Sequence, residues 1–141
     1  MQTYIFNVKL KDNPKIIRKI EILGNSSLYI FAEAIIDAFD FDFDHCFGFF
    51  SDTSGNYLDS KEKYELFKDL ENQGIEPVDS ASVKKSKIED VFKKAGEEML
   101  FLFDYGAHWE FIVSFENFGE KIEHKKYPKV IESKGKAPRQ Y

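Results

Sequence analysis

The chain has one cysteine, Cys46, so it lacks a partner for an internal disulfide, and no Cys-x-x-Cys pair or Cys/His grouping supplies a recognisable zinc ligand set. No bound metal and no cofactor is therefore expected, and a reducing cytoplasm is the simplest setting for a lone thiol. No apolar run approaches the roughly 20 residues of a membrane span. The alternating start Met1-Gln2-Thr3-Tyr4 also lacks the basic segment and apolar block of a secretory leader. Basic excess is missing too: 20 Lys and Arg stand against 25 Asp and Glu, a net charge of -5. That balance opposes general nucleic-acid binding, where clustered cations must neutralise phosphates. No nucleophile elbow, phosphate loop or dinucleotide fingerprint is present. The function classes with strong local signatures are thus excluded.

Aromatic residues are plentiful: 15 Phe, 7 Tyr and one Trp make up 16% of 141 residues. This length suits one domain over residues 1–141, with a core of Phe rings meeting Ile, Leu and Val. Tyr4, Phe6, Val8 and Leu10 share one parity, which predicts a half-buried strand. Lys11-Asp12-Asn13-Pro14 predicts a turn, and Ile16 to Ile22 the returning strand. Gly24-Asn25-Ser26-Ser27 breaks the chain and caps a helix whose Leu28, Phe31, Ala32, Ile35 and Phe39 form one apolar face.

Asp40-Phe41-Asp42-Phe43-Asp44 ends that helix, and His45 to Phe50 predicts a third strand before the polar loop around Ser54-Gly55-Asn56. Tyr64, Phe67 and Leu70 have helical spacing within a variable middle region, 60–83. Ser86-Lys87-Ile88-Glu89 has the form of a capping box, and Gly96 stands where the helix it opens would stop. Two aromatic-rich strands within Met99 to Phe115 then form a hairpin, Asn117-Phe118-Gly119 turns the chain, and a last strand lies near Lys129 to Ile131. Residues 132–141 read as a flexible tail. The fold class is α+β: a roll with a mixed or antiparallel sheet packed on helices.

Candidate chemistry gathers at the hairpin tip. A two-residue Gly106-Ala107 turn would pair Tyr105 with His108 and Asp104 with Trp109. Asp104 then reads either as a catalytic acid or base beside Trp109, or as a structural cap for turn amides. His45 and His108 have no carboxylate partner of known position, which argues against a metal site. Arg18 shares parity with Ile20 and Ile22, so its buried stem needs an acceptor: Asp104 or Asp44 in an ion pair, or an anion in a cleft. Cys46 beside His45 reads as an activated thiol or as a small buried hydrophobe. Lys84, Lys85, Lys87, Lys93 and Lys94 could join Lys121, Lys125, Lys126 and Lys129 in a basic surface, but interspersed Glu89, Asp90, Glu97, Glu120 and Glu123 point to a solvated face.

Several of these segments together resemble the Ri-plasmid ORF-three-like family. They are Phe6-Asn7-Val8-Lys9-Leu10-Lys11 leading to Pro14-Lys15-Ile16-Ile17-Arg18-Lys19-Ile20, the helix from Leu28 to Phe39, His45 with Phe47, Asp104-Tyr105-Gly106 with Trp109, and Tyr127-Pro128. The match covers most of the chain apart from the middle region. The resemblance implies a helix-bearing sheet with a β-grasp-like start (hairpin, helix, strands), a setting on plasmids or other mobile elements, and no established activity. Ala107 stands where the family usually has Asp, Phe111 where it has His, and Val130 and Ala137-Pro138 where it commonly has cysteines.

The first functional reading is a small cytoplasmic binding or accessory module. Its aromatic-rich cleft would be lined by Arg18, His45, Asp104, Tyr105, His108 and Trp109, its partner would be a protein or peptide ahead of a nucleic acid, and no membrane would be involved. The alternative is a hydrolase-like enzyme using Asp104 with His108 or His45.

Overall fold

The computed structural model describes residues 1–141. β1 (Gln2–Leu10) buries Tyr4, Phe6, Val8 and Leu10, as their shared parity requires. The turn after it closes through Ile16 N donating to Asn13 O at 3.0 Å, and β2 (Ile17–Leu23) returns antiparallel to β1. The Ser27 hydroxyl accepts from Ile30 N at 3.1 Å and starts α1 (Leu28–Ala38), which buries Leu28, Phe31, Ala32, Ile35 and Ile36, followed by buried Phe39.

β3 (Phe47–Phe50), β4 (Lys63–Glu65), a one-turn α2 (Leu66–Asp69) and β5 (Ala81–Ser82) follow. Then come a one-turn α3 (Ile88–Val91), β6 (Glu98–Phe103), β7 (Trp109–Glu120) and β8 (Lys129–Lys134). The eight strands form one mixed sheet in the order β5-β4-β3-β6-β7-β1-β2-β8, parallel only between β4 and β5. The chain is therefore a mixed α+β protein with few helices, and none of them is long and apolar enough to cross a membrane.

The main core lies between α1 and one face of the sheet. Phe6 meets Phe31 at 4.5 Å and Phe92 at 4.8 Å between ring centroids, Phe49 meets Phe101 at 4.7 Å, and Phe39 meets Phe111 at 4.9 Å. The opposite face has a smaller cluster of Phe50, Leu100, Leu102 and Ile112 beneath Tyr57 and Tyr105.

Three segments depart from the sequence reading, each for a local reason. The helical spacing of Tyr64, Phe67 and Leu70 yields only the one-turn α2, because Tyr64 and Glu65 instead pair with Phe49 and Gly48 in the sheet. Ser86 caps nothing: Ile88 N donates to Ser26 O and Glu89 N to Gly24 O, so backbone carbonyls of the loop before α1 take the amides that a capping box would need. Asn117-Phe118-Gly119 is not a turn but the end of β7, opposite Ile5, Tyr4 and Thr3, with Glu116 as the extra residue of a bulge. Gly119 serves close approach there, since a Cβ would lie 2.6 Å from Thr3 Oγ1.

Arg18 is buried, as its parity predicts, but its partners are carbonyls rather than Asp104 or Asp44. Its Nε donates to Ala38 O at 2.9 Å, and its Nη1 to Ile17 O at 2.8 Å and Lys134 O at 3.0 Å, while the guanidinium stacks 5.1 Å from the Phe39 ring. The last turn of α1 carries orphan carbonyls and partial negative charge, which a buried cation satisfies. Arg18→Ala should cost about 2–4 kcal/mol in urea denaturation, with Arg18→Lys recovering only part, because an ammonium cannot reproduce the planar fork. A loss below about 1 kcal/mol would show that the three carbonyls find other donors.

Candidate functional site

The β6–β7 hairpin closes differently from a two-residue turn. Phe103 pairs with Trp109, which leaves Asp104 through His108 in the turn. Asp104 is the cause: its Oδ1 accepts from Gly106 N and Ala107 N, both at 3.0 Å, and Asp104 and His108 adopt φ of 66° and 64°. The one-residue slip exchanges the faces. Phe101, Phe103, Phe111 and Val113 enter the main core with Trp109 packed against it, while Leu100, Leu102 and Ile112 turn to the other side.

Of the six residues assigned from sequence to a cleft, His45 and Asp104 come together, with Nε2 3.4 Å from Oδ2. His45 Nδ1 lies 2.7 Å from Asp44 Oδ1, and the Tyr141 hydroxyl donates to Asp44 Oδ2. These bonds hold the Asp44 carboxyl below the usual carboxylate range, that from Tyr141 contributing most. Both His45 ring nitrogens thus face carboxylate oxygens. Arg18 ties α1 to β2 and β8. Tyr105 donates to buried Glu65 at 2.5 Å and packs 4.9 Å from Phe67, and burial, then Glu65, pushes its phenol far above the ordinary value. His108 lies 5.8 Å from the Tyr57 ring and 3.7 Å from Glu110. Trp109 packs edge-on against Phe41 at 4.7 Å, its buried indole N–H without a partner. Burial, reinforced by Glu65, raises the Cys46 thiol, the opposite of activation.

The largest concavity lies elsewhere. An open groove of about 630 Å³ runs along the outer face of α1, where Ile30, Glu33, Ala34 and Asp37 form one wall. Phe41, Asp42 and Phe43 form its end, and Tyr127 and Pro128 face the helix. A second cavity of about 120 Å³ shares Ala34, Asp37 and Pro128 with it and extends to Ile20, Lys129 and Val130. Gln140 braces the groove end, accepting from Asp42 N at 2.6 Å and donating to Asp42 O at 3.1 Å, so the segment read as a tail is tied to the body here. The groove was missed from sequence, yet a signal existed: Ile30, Glu33, Ala34 and Asp37 form a second helical stripe, facing away from the buried one.

The family model described as plasmid pRiA4b ORF-3-like protein matches residues 2–140, and the chain belongs to that family. No curated protein matches. Among solved structures, the chain is similar to the crystal structure of a protein of unknown function from Methanosarcina mazei Go1. The TM-score is 0.75 at 22% identity, over 97% of this chain and 71% of that one. At that identity the likeness speaks for the fold.

Two substitutions check the hairpin tip. Asp104→Asn keeps an acceptor for both turn amides and tolerates positive φ, so it should cost about 1 kcal/mol or less, whereas Asp104→Leu should cost about 2–3. Equal losses would refute the turn-capping role. Tyr105→Phe strips the phenolic donor from Glu65 and should cost about 1–3 kcal/mol at neutral pH. Because the folded phenol is raised, its contribution is complete below about pH 10, where unfolded tyrosine ionises, and falls as pH rises further. The gap in urea midpoints between wild type and variant should therefore narrow on the alkaline side; a constant gap would contradict the Glu65 pairing.

Proposed function

We propose that the chain is a binding module whose α1 groove takes a basic, extended segment of a partner protein. The observation that carries this reading is a groove with three carboxylates, Glu33, Asp37 and Asp42, set among Ile30, Phe41, Phe43 and Tyr127. None of the three takes part in an ion pair of the chain. Unpaired carboxylates beside aromatic faces suit Lys or Arg side chains, through ion pairing and cation–π contact. The same carboxylates repel phosphates, which argues against nucleic acid at this place. The hydrolase-like alternative has only the approach of His45 to Asp104 in its favour, and Asp44 already occupies the other ring nitrogen.

The plasmid origin in the family description fits an accessory role in plasmid or transposon functions, and the free Cys46 thiol fits a reducing cytoplasm. We also read the β1–β2 hairpin followed by α1 as a β-grasp-like start to the roll.

Each exposed ion pair contributes about 0.2–1 kcal/mol and each exposed cation–π contact about 0.5–1, so modest, salt-sensitive affinity is expected. Isothermal titration of a Lys/Arg-rich peptide against its Glu-substituted counterpart tests this. The basic peptide should bind and the acidic one should not, and Asp37→Asn with Asp42→Asn should weaken binding by roughly 3–10-fold. Equal binding of both peptides, or no effect of the double variant, would overturn the reading.

A further inference from the structure

We infer that the partner segment docks as an added β-strand on β8, an inference that rests on the groove reading and names how its ligand is held. β8 ends the sheet, with β2 on one side and nothing on the other. The opposite end is β5, two residues long, so the six residues of β8 are the only long open edge. An edge strand presents unpaired N–H and C=O groups to any chain laid beside it. Val130 and Ile131 are 46% and 41% exposed there.

The register says what such a strand would meet. Val130 pairs with Ile20, whose side chain lies in the core under α1, so Val130 stands on the α1 side of the sheet. Lys129 and Glu132 stand on the other side, 3.9 Å from Glu21 and 3.7 Å from Lys19. The second cavity, beside Val130, joins the groove through Ala34, Asp37 and Pro128. A strand about 4.8 Å beyond β8 would therefore send alternate side chains over that cavity toward Asp37, while the intervening ones face the opposite side.

Charge selects the occupant. Side chains arriving on the α1 side enter the cavity that Asp37 lines, which joins the groove of Glu33 and Asp42, so that parity should carry Lys or Arg. A second copy of the chain does not meet this demand, since the α1-side residues of β8 are Val130 and Ser133, opposite Ile20 and Arg18. Lysines at both ends of β8 and the bulge at Ile131 further restrain indiscriminate edge pairing.

The test uses the synthetic peptide acetyl-Lys-Val-Lys-Val-Lys-Val-Lys-amide and two backbone N-methylated forms, one methylated on its valines and one on its lysines. In an added strand only one parity of amides points at β8. One methylated form should thus lose affinity roughly tenfold while the other binds like the parent, and the parent should slow amide exchange at Val130 to Ser133. Asp37→Asn should weaken the parent and the tolerated form alike. If both methylated forms bind like the parent, or both weaken equally, strand addition is overturned while the groove reading stands. If the parent does not bind, both fall. If sedimentation shows a stable dimer that the peptide dissociates, the edge belongs to a second copy and the inference fails.

Discussion

One helix of 11 residues has to cover an eight-stranded sheet, and most of the architecture follows from that mismatch. The helix is about 16 Å long and about 10 Å across, whereas eight strands at their usual spacing span about 34 Å. α1 can therefore shield only the central strands. Large rings make up the difference: Phe41 and Phe43 reach in from the loop after α1, and Val83, Ile88 and Phe92 reach in from the short segments around α3. A composition of 15 Phe is what a sheet with too little helical cover requires, because each ring removes far more apolar surface from water than an aliphatic chain.

The same mismatch explains the groove. The chain has no second long helix to pack against the outer face of α1, so Ile30, Glu33, Ala34 and Asp37 remain a wall rather than an interface. β8 extends the sheet beyond the helix, and Arg18 anchors this overhang by joining Lys134 O to Ala38 O at the end of α1. The buried cation thus ties the end of α1 to the end of β8. At its closed end, Gln140 mimics a backbone partner for Asp42 and keeps Phe41 and Phe43 in place.

Features set by local periodicity were legible in the sequence. The parity of β1, the buried stripe of α1 and the Ser27 cap each depend on neighbours within a few residues. Features set by competition between partners were not. The β6–β7 register turned on whether Asp104 would accept turn amides, and the segment after Ser86 on carbonyls contributed by Gly24 and Ser26. Arg18 shows the boundary well: alternation placed its side chain on the buried face, but main-chain acceptors carry no signature in side-chain identity. The groove required knowing that Tyr127 and Pro128, far along the chain, stand across from α1.

An open edge beside an apolar groove would ordinarily invite self-association. Here the groove carboxylates work against it. Two copies meeting edge to edge would bring Glu33, Asp37 and Asp42 of each toward a partner that also has a net charge of -5. A basic segment meets the reverse situation, because the charges that repel a like copy attract it. The acidic wall would then separate right partners from wrong ones by repulsion as much as by attraction, which lets the edge stay open without the cover that other sheets place over theirs.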